Sequence, residues 1–193
     1  MKLSKIKLSC FIGLVSLSIG VNAMANLFNS LNHSKWITIN NLEEGIELSF
    51  PRKPFELKFT PSFKGSSSKL HIYSAPIEKG LLVFSVLTSP EIDESVLDPA
   101  QFKQNFKSYL VKYLFQDPHF FQRSHKFESS IDQFKSFPLL SFLFTYQDSQ
   151  TLQLIKGAAI VQNDTLYQIF YLAPANEYNH KILKKFIGSF NFK

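Results

Sequence analysis

The 193-residue chain has one cysteine, one tryptophan, two methionines and seven glycines, and only 19% of its residues are charged. Each shortage excludes something. The scattered glycines form neither a G-x-x-x-x-G-K-[ST] nor a G-x-G-x-x-G loop, so no phosphate-cradling turn is present. No G-x-S-x-G occurs, which removes the nucleophile elbow. Only Arg52 and Arg123 carry a guanidinium, and they form no basic cluster, so a nucleic-acid partner is not expected. The low charge, set against 15% aromatic residues, excludes a disordered tail protein. What the chain has in quantity is phenylalanine, 21 residues of it. Its core is therefore expected to be built from aromatic packing, within one domain spanning residues 35–193.

The first 25 residues read as a secretory leader. Lys2, Lys5 and Lys7 make a positive start without acids, Cys10 to Val21 is apolar, and Val21-Asn22-Ala23 or Ala23-Met24-Ala25 offers the small-x-small cleavage site. The apolar run would span roughly 18 Å as a helix, short of the ~30 Å hydrocarbon core. The expectation is a cleaved signal and an exported chain, periplasmic or secreted and not membrane-spanning. Leu8-Ser9-Cys10 precedes the apolar run, the reverse of a lipoprotein signal. Cleavage removes the only cysteine, leaving no disulfide, thiol nucleophile or thiolate metal site. It also removes three lysines, lowering the net charge from +6 to +3.

After a polar lead-in (residues 26–34), short β-like segments follow: Trp36 to Ile39, Ile46 to Phe50 behind Gly45, Phe55 to Phe59, Leu70 to Tyr73, and Leu81 to Leu87. The last is apolar on both faces and so belongs at the centre of a sheet. A helix opens at Asp98-Pro99, with Gln101 at the capping-box position. Its apolar stripe is Phe102, Phe106, Tyr109, Leu110, Tyr113 and Leu114, and Asp117-Pro118 is the expected stop. Three further strands lie within Leu139 to Tyr146, Thr151 to Val161 and Leu166 to Leu172. The last two flank a hairpin turn at Asn163-Asp164. A final amphipathic helix turns Tyr178, Ile182, Leu183 and Phe186 inward, with Gly188 as its cap. The fold class is α+β: a largely antiparallel sheet covered on one or both faces by two amphipathic helices.

Trp36, the run Gly45-Ile46-Glu47-Leu48-Ser49-Phe50-Pro51, and the closing Leu166 to Pro174 with its following helix and Ser189-Phe190 resemble the PsbP-like superfamily. That group includes the extrinsic photosystem subunit PsbP and bacterial DcrB-type exported proteins. The resemblance implies an α/β/α sandwich and a non-catalytic accessory or binding role. It carries no catalytic residues across, because the family shares no catalytic motif.

Candidate chemistry is sparse. His33, His71, His119, His125 and His180 do not space as zinc ligands; His119 and His125, six apart, read as exposed loop residues. Gly65-Ser66-Ser67-Ser68 reads as a connector. Glu43-Glu44 and Glu91 read as solvated acids, and Asp93, Glu94 and Asp98 as helix-terminus carboxylates rather than a calcium loop. No cofactor or metal is expected. Tyr113 to Phe127 interleaves aromatics with cations, so Phe120, Phe121, Arg123 and Lys126 are the candidate surface for a protein partner or an anionic membrane. The alternative is that its aromatics fold back as core. An envelope accessory protein acting through protein contacts is the expected function, with a small-ligand carrier and an enzyme of unfamiliar type as alternatives.

Overall fold

The computed structural model describes residues 36–41, 45–63, 65–115, 125–134, 136–148 and 150–193. The leader and the polar lead-in lie outside them. The strands are β1 (Ile37–Asn41), β2 (Ile46–Phe50), β3 (Phe55–Phe59), β4 (Ser62–Phe63), β5 (Ser66–Ser67), β6 (Lys69–Ile77) and β7 (Gly80–Thr88). After helix α1 (Pro99–Tyr109) come β8 (His125–Phe134), β9 (Phe137–Asp148), β10 (Thr151–Gln162) and β11 (Thr165–Pro174). Helix α2 (His180–Gly188) and β12 (Asn191–Phe192) close the chain.

Seven strands form the main sheet in the order β3-β6-β7-β11-β10-β9-β8, every neighbour antiparallel. This is the α+β architecture that the alternating segments imply. β7 and β11 sit at the centre, buried on both faces as the continuous apolar run 81–87 requires. The β10–β11 hairpin turns at Asn163, whose φ of 52° is the left-handed conformation that asparagine tolerates.

Because side chains alternate across a strand, the sheet has two apolar faces to cover. On the first, Phe142, Phe144, Ile155, Leu166 and Phe170 pack against Phe102, Phe106 and Tyr109 of α1 and Leu110 just beyond it. α1 forms where its stripe and cap specify. Asp98 accepts hydrogen bonds from the Ala100 and Gln101 backbone N–H groups at 3.1 and 2.9 Å, and Pro99 occupies the first position. The helix then widens into a π turn, Leu110–Phe115, which the sequence periodicity does not announce. Asp117-Pro118 lies outside the described residues.

On the second face, Tyr73, Phe84, Ile160, Ile169 and Tyr171 pack against Leu183 and Phe186 of α2 and against Ile46, Leu48 and Phe50 of β2. This cover is itself partly a sheet, β1-β2-β12, in which β12 at the chain's end pairs with β2 near its beginning. Ser189 fastens the two: its Oγ accepts from Ser49 N at 3.1 Å, and Phe50 meets Phe186 at 4.9 Å between ring centroids. Two details differ from the sequence reading. Tyr178 precedes α2 rather than belonging to it, because Asn179 caps the helix by accepting from Lys181 N. The helix ends with Ser189, not Gly188, at the C-cap.

Gly157 of β10 faces the α1 side between Phe142 and Phe170 of the neighbouring strands. A Cβ there would lie 2.2 Å from the Ile169 carbonyl oxygen, so no side chain fits. Phe106 packs above this gap, 4.7 Å from Phe142 and 5.5 Å edge-on to Phe170. Phe106→Ala is expected to lower unfolding free energy by about 3–5 kcal/mol in urea titration. Leu152→Ala, at a position 48% exposed, is expected to stay within about 0.5 kcal/mol.

Candidate functional site

The surface residues expected from the sequence are only partly within view. Phe120, Phe121 and Arg123 lie outside the described residues, as do His33, His119 and Glu43-Glu44. Lys126 stands exposed on β8, ion-paired with Glu128. The described aromatics of the same segment turn inward. Tyr113 lies 5.2 Å from Phe59, Phe115 lies 5.9 Å from Tyr146, and Phe127 lies 6.4 Å from Phe102. His125 begins a strand, where the sequence reading placed a loop, because residues 125–134 pair with residues 137–146 of β9.

Asp93 and Asp98 are occupied as caps. Asp93 accepts from the backbone N–H of Ser95 at 2.9 Å, and from its hydroxyl, ahead of the 3-10 turn Glu94–Leu97. Asp98 caps α1, and Glu91 accepts from Ser66 Oγ at 3.1 Å. Among the described residues, no three His, Cys, Asp or Glu side chains gather as a metal site would need. His71 is buried against Tyr73 at 4.0 Å between rings, with its Nε2 3.5 Å from a Glu56 carboxylate oxygen.

Two constellations were not read from the sequence. The first is a buried polar knot under α1. Ser85 Oγ donates to Gln168 Oε1 at 2.9 Å across the central strand pair, with the Tyr109 phenol next to it. Burial pushes the Tyr109 phenol far above its ordinary range, offset only in part by the Ser85 hydroxyl. Nothing in local sequence marks the knot, since Ser85 and Gln168 meet only through strand register.

The second is an open cleft of about 300 Å³ at the seam between α2, the β6–β7 turn and the chain's first described residue. Trp36, Pro51, Ile77 and Ile182 supply apolar walls, while Glu78, Lys79, Asn179 and Glu177 stand at its borders. Tyr171, fully buried, forms its floor: its hydroxyl donates to the Lys79 carbonyl at 3.1 Å and its ring stacks on Tyr178 at 5.3 Å. Lys185 Nζ lies 4.4 Å from the centre of the Trp36 ring, so this aromatic face already accepts a cation. Burial, then the neighbouring Tyr178 and Glu177, pushes the Tyr171 phenol up to about 12, against a lowering from the Asn179 backbone. Burial also raises Tyr178. The arrangement suits capture of an apolar side chain.

Among the described residues, no helix is long and apolar enough to cross a membrane. No protein-family model matches the chain, and no curated protein matches it either. Solved structures similar to it include the following two. Pseudomonas aeruginosa PA94, of unknown function, has 9% identity over 75% of this chain and 87% of its own, with a TM-score of 0.38. LpqN of Mycobacterium tuberculosis, involved in cell envelope biogenesis, has 16% identity over 86% and 92%, with a TM-score of 0.37. Likenesses at these scores carry no conclusion for this chain.

An unfolded tyrosine ionises near 10 and folded Tyr171 near 12, so the folded chain holds this proton longer. The associated stability is complete below pH 10 and is lost as pH rises from 10 towards 12. Urea midpoints measured from pH 8 to 12 are therefore expected to fall more steeply for the native sequence than for Tyr171→Phe. Parallel curves would contradict the assignment.

Proposed function

We propose that this is an exported, non-catalytic accessory protein of the cell envelope that works through protein–protein contacts, with the Trp36–Tyr171–Ile182 cleft as a contact point. The observation that carries the reading is the cleft's shape. At about 300 Å³ and open to solvent, it stands at the low end of the ~300–1,000 Å³ of small-molecule sites, which mostly enclose their ligand. A depression of that size takes one or two side chains of a partner. Its apolar walls favour an apolar residue as the anchor, while the acids Glu78 and Glu177 are balanced at the site by Lys79 and Lys185. The leader sequence supports export, and the likeness of Trp36, residues 45–51 and residues 166–174 to PsbP-like proteins supports an accessory role. Aromatic filling of both sheet faces, from Phe102 and Phe170 on one to Phe84 and Tyr171 on the other, argues in the same direction.

A small-ligand carrier is the second reading, favoured by the same apolar walls. The two separate by experiment. A photocrosslinking amino acid in place of Ile182, in cells of the native host, is expected to give one discrete protein adduct. The same probe in place of exposed Glu94 is expected to give none. A small-molecule adduct on the native chain in mass spectrometry, without protein crosslinking, supports the carrier instead. Neither adduct, with Trp36→Ala leaving the host's envelope unaffected, removes the cleft from the account.

A further inference from the structure

The main sheet ends at β3 on one side and β8 on the other, and among the described residues no strand pairs with the outer edge of β8. β8 is ten residues long, and such an edge is a template for pairing with another chain. Natural edges are usually blunted by charge. Here the charges are ordered so as to admit one partner. We propose that β8 pairs antiparallel with β8 of a second copy, about a twofold axis through Ser129, so that one sheet runs through both subunits.

The register follows from side-chain parity. Odd-numbered residues of β8 share the α1 face with Phe127, and even-numbered residues lie on the other face. A twofold axis perpendicular to the sheet keeps each face on its own side, so odd residues must meet odd and even must meet even. Only registers centred on a residue satisfy this. Centring on Glu128 sets that carboxylate against its own copy. Centring on Ser130 sets Glu128 against Asp132 twice. Centring on Ser129 places Lys126 opposite Asp132 of the partner subunit, and Phe127 opposite Ile131 of the partner subunit, each twice by symmetry. Glu128 then faces only Ser130. Centres further towards either end shorten the ladder.

The groups concerned are exposed, and Asp132, which accepts from the Gln133 backbone N–H at 2.8 Å through Oδ1, keeps its second carboxylate oxygen for the partner's Lys126. The Lys126 and Glu128 side chains are 73% and 51% exposed, and their mutual ion pair lies within β8, where a partner's carboxylate can join it. Ile131 is 57% exposed on a strand whose other α1-face apolar residue, Phe127, is already seated under α1 beside Phe102 and Lys103. Pairing covers that isoleucine and adds backbone hydrogen bonds along the edge.

The test is sedimentation velocity on the protein expressed from its whole sequence. The native chain is expected to show a concentration-dependent dimer. Lys126→Asp or Asp132→Lys alone opposes like charges, and symmetry makes each act twice, so self-association should weaken by about tenfold or more. The double variant, Lys126→Asp with Asp132→Lys, is expected to restore it. Thermal melting of each variant at dilute concentration separates lost pairing from lost folding. In a Cys10→Ser background, Ser129→Cys should give a disulfide-linked dimer on mild oxidation, since opposed Cα atoms in such a ladder fall within bridging distance. A native chain that stays monomeric at about 1 mM overturns the proposal. So does a dimer indifferent to the single charge reversals, or a double variant that fails to recover.

Discussion

A seven-stranded antiparallel sheet with two apolar faces is the constraint on which the rest of this molecule depends. β7 and β11 are buried on both sides, so neither face tolerates water, and each requires its own cover. One cover is local and continuous: α1, preceded by its capping aspartate and followed by the π turn. The other is assembled from both ends of the described chain. The strands β1 and β2 come from its beginning and α2 and β12 from its end, joined by the β2–β12 pairing and the Ser49–Ser189 contact. With no disulfide among the described residues, aromatic packing holds both covers in place, and the phenylalanine content reflects that demand.

The cleft is a consequence of this construction. It opens where the assembled cover meets the β6–β7 turn, a seam that continuous packing does not fill. Tyr171 belongs to the central strand and to the cleft floor at once, which makes the site as rigid as the core beneath it. The buried Ser85–Gln168 pair sits on the opposite face. It bridges the two central strands within their ladder, three residues before Tyr171 on β11.

Much of the fold was legible because its signals are local. The alternation in 46–50 and 55–59, the two-faced apolar run 81–87, the Asp98-Pro99 start and the Asn163 turn each specify their element without reference to the rest of the chain. β8 was missed for a physical reason. As an edge strand it keeps Lys126, Glu128, Ser130 and Asp132 on one face, and its only well-seated apolar residue on the other is Phe127, so the pattern is too polar to announce a strand. β12 was missed because two residues gain their structure only from pairing with β2. The cleft was not legible at all: Trp36, Ile77, Tyr171 and Ile182 share no local motif and meet only through topology. The expected surface at Phe120, Phe121 and Arg123 lies outside the described residues, while its neighbours Tyr113, Phe115 and Phe127 serve the core.

The account stands or falls on the assembled cover. Urea unfolding of the chain ended after Gly188, which lacks Ser189, Phe190 and β12, tests it most directly. The expected result is loss of the sharp cooperative transition together with binding of a hydrophobic dye, as Tyr73, Phe84 and Tyr167 become accessible to solvent. A cooperative transition with the midpoint of the whole chain and no dye binding would contradict the account, because the second face would then need no closure by the chain's end.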